Sequence, residues 1–309
     1  MRTVVIFNPA ADHGRARRLQ SQIPDWAEEF GGCDLWLTER PGHAAVLARR
    51  ALDQGYELVI AAGGDGTMHE VANGLVESGQ SGSLTAGAPM GIVPIGSGND
   101  YPFGLGLAAD PHEAFCRIFN GRQMVVDLAL YEDDHGRSEL AINGIGIGFD
   151  AIVSIQTQTI TRVHGFAMYF LATLRTLAFY YQTPNLRAHF DDLVVEQRTL
   201  MLPIGIGPRI GGGFRLTPDA DLTDGLLDTC MVNPIGRPTL LRLLPEAMKG
   251  THTDSPHVTM RRNRRIELVS DMALPIHADG EIFAYLDDDV RQIRVTSLPA
   301  ALTIRGAGF

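Results

Sequence analysis

Short apolar runs alternate with amphipathic segments through the first 128 residues of the chain. Four of the runs have the length and composition of buried strands: Thr3–Phe7, 33–37, 57–62 and 90–95. The segments between them carry apolar residues at helical spacing, three or four positions apart. Strands that alternate with helices predict an α/β domain, in which a parallel sheet is covered by helices on both faces. Such sheets bind ligands at the carboxyl ends of their strands.

The third strand leads directly into a glycine-rich turn and a helix. The turn consists of Gly63, Gly64, Asp65, Gly66 and Thr67. Glycines allow a sharp turn and a close approach of backbone N–H groups to a ligand, and a helix N-terminus attracts anions. The pattern predicts a phosphate-binding loop whose helix starts with a capping box, Thr67 with Glu70. Since the Asp65 carboxylate would repel phosphate, we expect Mg2+ between them. An ordinary strand-to-helix turn is the alternative.

A second loop of the same kind, 96–100, follows the fourth strand. Its Ser97 can donate a hydrogen bond to a phosphate oxygen, while Asp100 can either brace the loop or contact a hydrated Mg2+. Asp127 lies in an apolar strand, where a lone carboxylate is costly, so we expect it to share a network with Asp100, water and a cation. The ends of the first two strands add Asn8 and Thr38. Together these strand ends predict a site for a nucleotide polyphosphate.

After about residue 128 the pattern changes to short strands separated by turn signals. The strands fall at 140–143, 186–190, 193–196, 200–206, 226–232, 266–269 and 293–295. They predict a β-rich second domain, arranged as a two-layered sandwich. Two helical inserts interrupt it, at 163–181 and Arg237–Lys249.

The first insert is apolar, but Arg175 makes its apolar run too short to span a membrane. A core or cleft-lining helix is favoured over a membrane-surface anchor. Its apolar residues could form either one wall of a lipid cleft or part of the sandwich core; they are Phe166, Met168, Tyr169, Phe170 and Leu174.

Composition narrows the classes of function. The 309 residues suffice for two domains, and 45% hydrophobic with 20% charged residues is typical of a soluble globular protein. The net charge of −10 disfavours a nucleic-acid partner. Three scattered cysteines provide neither a disulfide framework nor a zinc site, and they suit a reducing compartment. Because the N-terminal apolar run is too short for a signal peptide, we expect a cytoplasmic protein.

Two common nucleotide motifs are absent from the sequence. The single lysine, Lys249, is followed by Gly250, whereas a Walker-type loop needs Lys before Ser or Thr. The alternating Gly144, Gly146 and Gly148 do not match the Gly-x-Gly-x-x-Gly pattern of dinucleotide folds.

Carboxylates cluster at two places in the second half of the chain. Asp279 and Glu281 flank Gly280, where one carboxylate could accept a proton and the other could orient it or a metal; a plain turn is the alternative. The loop 218–225 carries Asp219, Asp221 and Asp224, and its carboxylates and carbonyls suit a hard cation with oxygen ligands.

As a set, these motifs resemble the diacylglycerol kinase catalytic family, in its bacterial soluble branch, which is related to sphingosine and ceramide kinases. The motifs are 63–67, 94–100, 218–225 and 279–281, in the family's order and over essentially the whole chain. The resemblance implies a nucleotide-binding domain at 1–128, similar to those of phosphofructokinases and NAD kinases, with a chain return at 300–309. It further implies a lipid-substrate β-sandwich at 129–299 and an ATP site in the cleft between the domains.

The resemblance also implies roles for single residues. Asp279 would be the general base that takes the proton of a lipid hydroxyl, with Glu281 beside it and Asp65 as the third catalytic residue. ATP or its Mg2+ would lie against Asn8, Thr38, Gly63, Gly64, Asp65, Gly66, Thr67, Gly96 and Ser97. A structural Mg2+ would bind Asp224 with the carbonyls of Asp221 and Leu226. The implied partners are a diacylglycerol-like lipid, a transiently contacted inner membrane surface, and a second copy of the chain, since the family often forms homodimers.

The sequence departs from the family at three places. Ser97 replaces the usual Thr and keeps its hydroxyl, whereas Thr223 replaces a common acidic residue and weakens the expected metal loop. The usual lysine of the first loop is absent, which leaves three arginines to reach phosphate: Arg15, Arg17 and Arg18.

Three questions stay open at this point. The runner-up enzyme is an NAD kinase or another small-molecule kinase with the same first loop, and a catalytically silent nucleotide- or lipid-binding regulator is the alternative outside enzymes. The accepted lipid could be a diacylglycerol, a monoacylglycerol, a sphingoid base or a glycerophospholipid. The basic run 261–265 is interpreted as a solvated strand end rather than a dock for anionic lipid headgroups.

Overall fold

The computed structural model describes residues 1–78, 84–160, 163 and 166–307. The chain divides into two compact units, Met1–Leu128 with Leu298–Phe309, and Ala129–Ser297. Within the described ranges, no helix combines the length and the apolar character needed to cross a membrane.

The first unit alternates strands and helices. Its strands are β1 (Thr3–Phe7), β2 (Asp34–Leu37), β3 (Leu58–Gly63), β4 (Val76–Ser78), β5 (Leu84–Ala86) and β6 (Met90–Pro94). Its helices are a 3-10 segment (Asp12–Leu19), α1 (Gln22–Glu28), α2 (His43–Asp53), α3 (Asp65–Leu75), α4 (Asp100–Gly104) and α5 (Pro111–Asn120). The two boundaries between the units fall within β7 (Gln123–Asp133) and the last strand, β18 (Gln292–Arg305).

The sheet of the first unit is parallel, in the order β2-β1-β3-β6, and the end of β18 extends it beside β6. Every residue of β1, β3 and β6 is buried, as expected for strands covered on both faces. The predicted α/β domain on a parallel sheet is confirmed. The chain passes from β1 to β2 on one side and then to β3 on the other. That reversal opens a crevice between the carboxyl ends of β1 and β3, where open α/β sheets bind ligands.

Helix α3 begins at Asp65, and the predicted capping box is wrong. Gly64 is the N-cap residue, with extended backbone and no side-chain cap. The Thr67 hydroxyl instead accepts a hydrogen bond from the Asn8 side-chain amide, with 2.9 Å between Nδ2 and Oγ1. A Thr–Glu pair three residues apart is compatible with a capping box, but the neighbouring strand end supplies a better partner here.

Glu70, the other member of the predicted box, caps a different helix. Its carboxylate accepts hydrogen bonds from the backbone N–H of Gly42 at 2.7 Å and of Ala44 at 2.9 Å. These groups lie at the N-terminus of α2, where N–H groups have no partner within the helix and negative charge is favourable. Glu70 therefore joins α3 to α2.

The second unit contains short strands and three longer helices. Its strands are β8 (Ser138–Ala141), β9 (Gly144–Ile147), β10 (Asn185–Phe190), β11 (Leu193–Arg198), β12 (Ile204–Gly205), β13 (Leu227–Val232), β14 (Val258–Asn263), β15 (Arg265–Ser270), β16 (Ile276–Ala278) and β17 (Glu281–Ala284). Its helices are α6 (Phe149–Thr157), α7 (Phe166–Phe179) and α8 (Arg237–Lys249), with 3-10 turns at His252–Asp254 and Leu286–Asp288.

Two antiparallel sheets form the framework of this unit. One has the order β14-β13-β12-β9-β16-β17, and the other contains β11, β10, β15 and the first part of β18. All residues of β9, β13 and β16 are buried, whereas β10 and β15 alternate between buried and accessible positions. The first sheet is thus covered on both faces. Helices α6, α7 and α8 cover one of them, because Phe149, Ala172 and Leu240 share an apolar cluster with Cys230 and Val232. The predicted β-sandwich class is confirmed.

Some predicted elements differ from the observed ones. The predicted strand at 200–206 is observed as the short strand Ile204–Gly205 and as isolated β-bridges at Met201. Helix α6 was not predicted, because in so short an apolar run the periodicity does not distinguish a helix from a strand. Helix α8 begins and ends where the sequence predicts, with Pro238 in its first turn and Gly250 in a left-handed conformation at its end.

The double contact of Glu70 leads to a stability prediction. We expect Glu70→Ala to lower the free energy of unfolding by about 1 kcal/mol, the usual effect of removing a helix cap. The matched control is Glu28→Ala, since Glu28 is exposed on α1 and its side chain makes no hydrogen bond or ion pair with the described part of the chain. Urea unfolding followed by circular dichroism measures the difference, and equal midpoints for the two variants would contradict the capping role.

Candidate functional site

The two glycine-rich loops of the first unit pack backbone against backbone. A Cβ atom on Gly64 would lie 3.2 Å from the Cα of Gly96, and one on Gly96 would lie 2.5 Å from the Cα of Gly64. The Ile95 N–H also donates to the Gly63 carbonyl at 2.8 Å. The approach of the two loops therefore excludes a side chain at Gly96 without a shift of the backbone and makes one at Gly64 tight.

Asp65 connects the same two loops. Its carboxylate accepts hydrogen bonds from the N–H of Asp100 at 3.3 Å and of Tyr101 at 3.1 Å, the first two residues of α4. The side chain of Asn99, whose φ is +51°, closes the second loop by bonding both the N–H and the carbonyl of Gly96. Asp65 thus acts as a brace in this structure, and its predicted contact with Mg2+ stays a prediction.

The structure brings most of the predicted nucleotide residues of the first unit to one edge of the sheet. Asn8 follows β1 and donates to Thr67, and its Oδ1 accepts the N–H of Ala10 at 2.9 Å. Thr38 follows β2, one strand further out, and its N–H bonds the Phe7 carbonyl at 2.9 Å. Ser97 is exposed at the tip of its loop. The edge therefore offers hydroxyls, an amide and loop backbone beside the crevice at β1 and β3.

Asp127 has a partner that the sequence did not reveal. Only 2% of the residue is exposed, and its Oδ1 accepts the N–H of Ala300 at 2.7 Å. Ala300 has a φ of +53°, a strained value for a residue with a side chain. The carboxylate stabilises this turn of the returning chain, and the predicted network of Asp127 with Asp100 and a cation stays a prediction.

Asp279 is held rigidly in the second unit. Its Oδ1 accepts the N–H groups of Asn143 and Gly144, both at 2.9 Å, and its Oδ2 accepts the N–H of Ile142 at 2.8 Å. Its own N–H bonds the Gly144 carbonyl at 2.9 Å, and its φ is +52°. Three N–H donors to one carboxylate fix its position through charge-assisted hydrogen bonds.

Glu281 and Tyr131 belong to the surroundings of Asp279. Glu281 is exposed at the start of β17. Burial raises the pKa of Tyr131 well above its usual value, and the carboxylates of Glu139, Asp279 and Glu281 raise it further. The Tyr131 hydroxyl donates to Glu139 at 2.9 Å. Sequence reasoning missed this tyrosine, because an aromatic residue in a strand carries no sign of its neighbours.

The loop 218–225 is a tight turn with oxygen donors. Asp221 Oδ1 accepts hydrogen bonds from the N–H of Thr223 at 2.9 Å and from the Thr223 hydroxyl at 2.7 Å. Asp224 Oδ1 accepts a hydrogen bond from the N–H of Leu226 at 2.9 Å. A carboxylate has about four lone-pair sites, so each retains acceptor capacity for a cation. The donor set fits a hard cation such as Mg2+. No group of three or more His, Cys, Asp or Glu side chains in the described ranges has an arrangement that could hold a metal, so the predicted site would depend on carbonyls as well.

A cavity opens among the helices and the buried sheet of the second unit. Its walls are mainly apolar, and they include Phe149, Val153, Tyr169, Phe214 and Leu243. It encloses about 740 Å3 of space between atoms, its open mouth included. Tyr169 lines this cavity and also packs against the apolar cluster of the second unit, whereas Phe170 is 42% exposed, so the role of α7 as a wall of a lipid cleft stays a prediction. The side chain of Phe166 lies outside the described residues.

Two ionisable side chains meet at the wall of this cavity. Asp150 Oδ2 lies 3.8 Å from His277 Nε2, and the two side chains are only 12% and 2% exposed. Burial raises the pKa of Asp150 from 3.8 to about 8, partly offset by nearby backbone N–H groups. Burial also lowers the pKa of His277 from 6.5 to about 4, against the opposing charge of Asp279. Both groups are therefore mainly uncharged near neutral pH.

The alternating glycines of β9 are the sequence feature that could have indicated the Asp150–His277 pair. Gly146 is the cross-strand partner of His277. A Cβ atom on Gly146 would lie 2.1 Å from His277 Nε2 and 2.3 Å from Asp150 Oδ2, and one on Gly144 would lie 2.6 Å from Ile210. Residues two apart on a strand share a face, so glycines on the cavity face of β9 make room for the groups that line it.

The basic run 261–265 forms the ends of β14 and β15, as the sequence analysis favoured. Arg262 Nε lies 3.3 Å from Asp228 Oδ1, and an Arg265 guanidinium nitrogen lies 2.5 Å from Glu267. Arg261 stacks over the ring of Phe190 at 5.9 Å. These arginines have partners within the protein.

The buried Asp150 predicts an unusual dependence of stability on pH. Its folded pKa, about 8, lies above the unfolded value of 3.8. The stability that its protonated form contributes is therefore complete below the unfolded pKa and is lost as pH rises through the folded pKa. The contribution of His277 changes in the opposite sense and only below its unfolded pKa of 6.5.

We therefore expect the melting temperature of wild type, relative to Asp150→Asn, to fall as pH rises from about 6.5 to about 8. Above the unfolded pKa of histidine the change reports on Asp150 alone. Thermal melts of both proteins across this range measure it. A difference that stays constant with pH would show that Asp150 is ionised in the folded protein.

Comparison with known proteins places this architecture among relatives. A family model described as the diacylglycerol kinase catalytic domain matches residues 2–131, and one described as the YegS C-terminal NAD kinase beta sandwich-like domain matches residues 143–306. The chain is 30% identical over 299 residues to a diacylglycerol kinase of Mycobacterium tuberculosis, which covers 95% of this chain and 89% of the relative. It is 29% identical over 282 residues to one of Staphylococcus saprophyticus, covering 91% and 88%.

A solved structure shows the same fold. The crystal structure of a diacylglycerol kinase from Bacillus anthracis superposes with a TM-score of 0.71 and 20% identity, covering 98% of this chain and 96% of that one.

Proposed function

The chain belongs to the diacylglycerol kinase family, and on that premise we propose that it transfers the γ-phosphoryl group of ATP to a hydroxyl of a diacylglycerol-like lipid, with Asp279 as the general base. Its relatives establish a kinase that acts on a lipid alcohol. The observation that carries the finer assignment is the Asp279 carboxylate, fixed by three backbone N–H groups.

We assign the nucleotide to the crevice of the first unit. The N-terminus of α3 and two loops in backbone contact suit a polyphosphate, which is bound by amides and helix ends. Asn8, Thr67 and Ser97 offer polar groups at the same edge. Mg2+ supplies charge neutralisation for the phosphates when bound, and Asp65 is its proposed protein ligand.

The acceptor chemistry is assigned to Asp279. The lipid hydroxyl oxygen forms a bond to the γ-phosphorus, the bond from that phosphorus to the β–γ bridging oxygen breaks, and ADP leaves. The hydroxyl proton passes to Asp279, a carboxylate already held in place by Ile142, Asn143 and Gly144. A fixed base within reach of the hydroxyl accelerates such a step by positioning as well as by proton transfer. Glu281, exposed beside it, is the proposed route for the proton to solvent.

We also propose roles for the metal loop, the apolar cavity and the surface of α7. The loop with Asp221, Asp224 and Leu226 would hold the structural Mg2+ and stabilise the start of β13. The apolar cavity of the second unit would take an acyl chain. Because such a lipid resides in a bilayer, we propose transient contact with the membrane surface, consistent with the exposed Phe170 and Phe179 of α7. A homodimer, as the family often forms, stays an expectation.

The decisive experiment is transfer of labelled γ-phosphate from ATP with Mg2+ to a panel of acceptors. The panel contains detergent-dispersed lipids, soluble diols, NAD and a control without acceptor. We expect label in a diacylglycerol-like lipid. Label in NAD alone would assign the chain to small-molecule kinases, and ATP binding without any transfer would favour a silent regulator.

The base assignment has a matched control within the chain. Asp191, like Asp279, has a positive φ (+48°), and its carboxylate accepts backbone N–H groups, those of Arg264 and Arg265. We expect Asp279→Asn to lower kcat by about 100-fold or more, as loss of a general base does. Asp191→Asn should lower the thermal stability without a comparable loss of kcat. Equal kcat values for Asp279→Asn and wild type would remove Asp279 from the mechanism.

A further inference from the structure

Asp150 and His277 line an apolar cavity, and three of their polar atoms have no hydrogen-bond partner within the described residues. Both carboxylate oxygens of Asp150 and the Nδ1 of His277 are buried and make no hydrogen bond within the described residues. Both residues line the cavity. Buried polar groups that lack partners are costly and uncommon in native proteins. A pair of them at one wall of an apolar cavity indicates that a ligand supplies the partner.

The residues packed around Asp150 and His277 leave space for the two side chains. Gly146 lies opposite His277 on the neighbouring strand, and any side chain there would occupy the space where the two groups meet. Asp150 lies in the first turn of α6, directly after Gly148, whose φ is +92°. Two glycines thus give the carboxylate and the imidazole access to each other and to the cavity.

The chemistry of the pair favours an uncharged ligand group. Among the cavity residues that the structure describes, the other ionisable side chains are His252 and Tyr169. Burial lowers the pKa of His252, which contacts the Leu216 carbonyl at 3.2 Å. With Asp150 protonated, the wall offers an O–H donor beside a neutral imidazole. An ammonium group would have to leave water and ionise Asp150, which is unfavourable in apolar surroundings.

The position of the pair matches the layout of an acylated alcohol. His277 lies two residues before Asp279, and two residues span about 7 Å along a strand. The charge of Asp279 is close enough to act on the pKa of His277. In a diacylglycerol the acyl carbonyls lie a few bonds from the free hydroxyl. A lipid whose hydroxyl is at Asp279 would therefore bring a carbonyl towards His277 and Asp150 as its chain enters the cavity.

We propose that Asp150 and His277 recognise an acyl carbonyl of the lipid substrate, so that the cavity selects acylated lipids over alkyl ethers and over aminolipids. The proposal rests on the proposed function, because it places the acceptor hydroxyl at Asp279. Ester and amide carbonyls share the required chemistry. The carbonyl could belong to a glycerolipid ester or to an N-acyl sphingoid base, and the experiment has to distinguish these two lipids.

The test crosses protein variants with lipid variants. Wild type, Asp150→Asn and Asp150→Leu are assayed with a diacylglycerol, its dialkyl ether analogue, an N-acyl sphingoid base and a free sphingoid base. The Asn side chain keeps an N–H donor, while Leu, which has the same branching, removes it. Thr176→Val is the control, since Thr176 is also buried on α7 with an unpartnered hydroxyl but does not line the cavity.

We expect wild type to prefer the ester over the ether by about tenfold in kcat/KM, because a buried donor rejects a ligand that leaves it unpaired. Asp150→Leu should abolish this preference, and Asp150→Asn should keep most of it. Thr176→Val should leave the ratio unchanged. The relative rates of the diacylglycerol and the N-acyl sphingoid base identify the ester or the amide as the natural source.

Two results would overturn the proposal. One is an ester preference in Asp150→Leu equal to that of wild type, and the other is a faster reaction of wild type with the free sphingoid base. If no lipid is phosphorylated, the proposed kinase function is contradicted, but the recognition of the carbonyl is still to be tested. Equilibrium binding of fluorescent ester and ether lipids to the same full-length variants then gives the same comparison without turnover, and equal affinities of wild type for the two would overturn the recognition role.

Discussion

The carboxylate of Asp279 draws three consecutive backbone N–H groups, 142–144, onto a single side chain. Those residues lead into β9, and the strand that directly precedes the aspartate, β16, pairs with β9 in antiparallel register. One residue thus fixes the turn after β16, the start of β9 and the register between them. Because the register is fixed, His277 lies opposite Gly146 and beside Asp150. The same hydrogen bonds to a buried carboxylate therefore position both the proposed base and the polar wall of the cavity.

The first unit depends on a different constraint, the contact between two glycine turns. Gly64 and Gly96 approach so closely that neither tolerates a Cβ atom without displacement, and Asp65 ties the first turn to the N-terminus of α4. The edge of the sheet is therefore preorganised by internal contacts. Preorganised backbone donors are what binding and transfer of a phosphoryl group require, because that reaction depends on positioning and charge neutralisation more than on covalent catalysis.

Carboxylates in this protein serve several distinct purposes. Asp127 stabilises a strained turn at Ala300, Glu70 caps α2, and Asp191 holds the turn between β14 and β15. Asp150 differs from these three carboxylates, since burial raises its pKa to about 8 and neither of its oxygens makes a hydrogen bond in the described structure. The distinction matters for function, because a buried carboxylate at a cavity wall without internal hydrogen bonds is available to a ligand.

The sequence by itself determined the class of both units and the position of the two glycine loops. Periodicity, turn residues and glycine spacing are local properties, and local properties can be recognised in the sequence. Helix α8 and the strand Thr3–Phe7 were predicted to the residue for this reason. The tertiary structure alone decided which partner each polar side chain found. Glu70 caps a helix that begins 27 residues earlier in the chain, and Asp150 meets a histidine that follows it by well over 100 residues. Burial and sheet register bring such groups together, and neither quantity exists until the chain has folded.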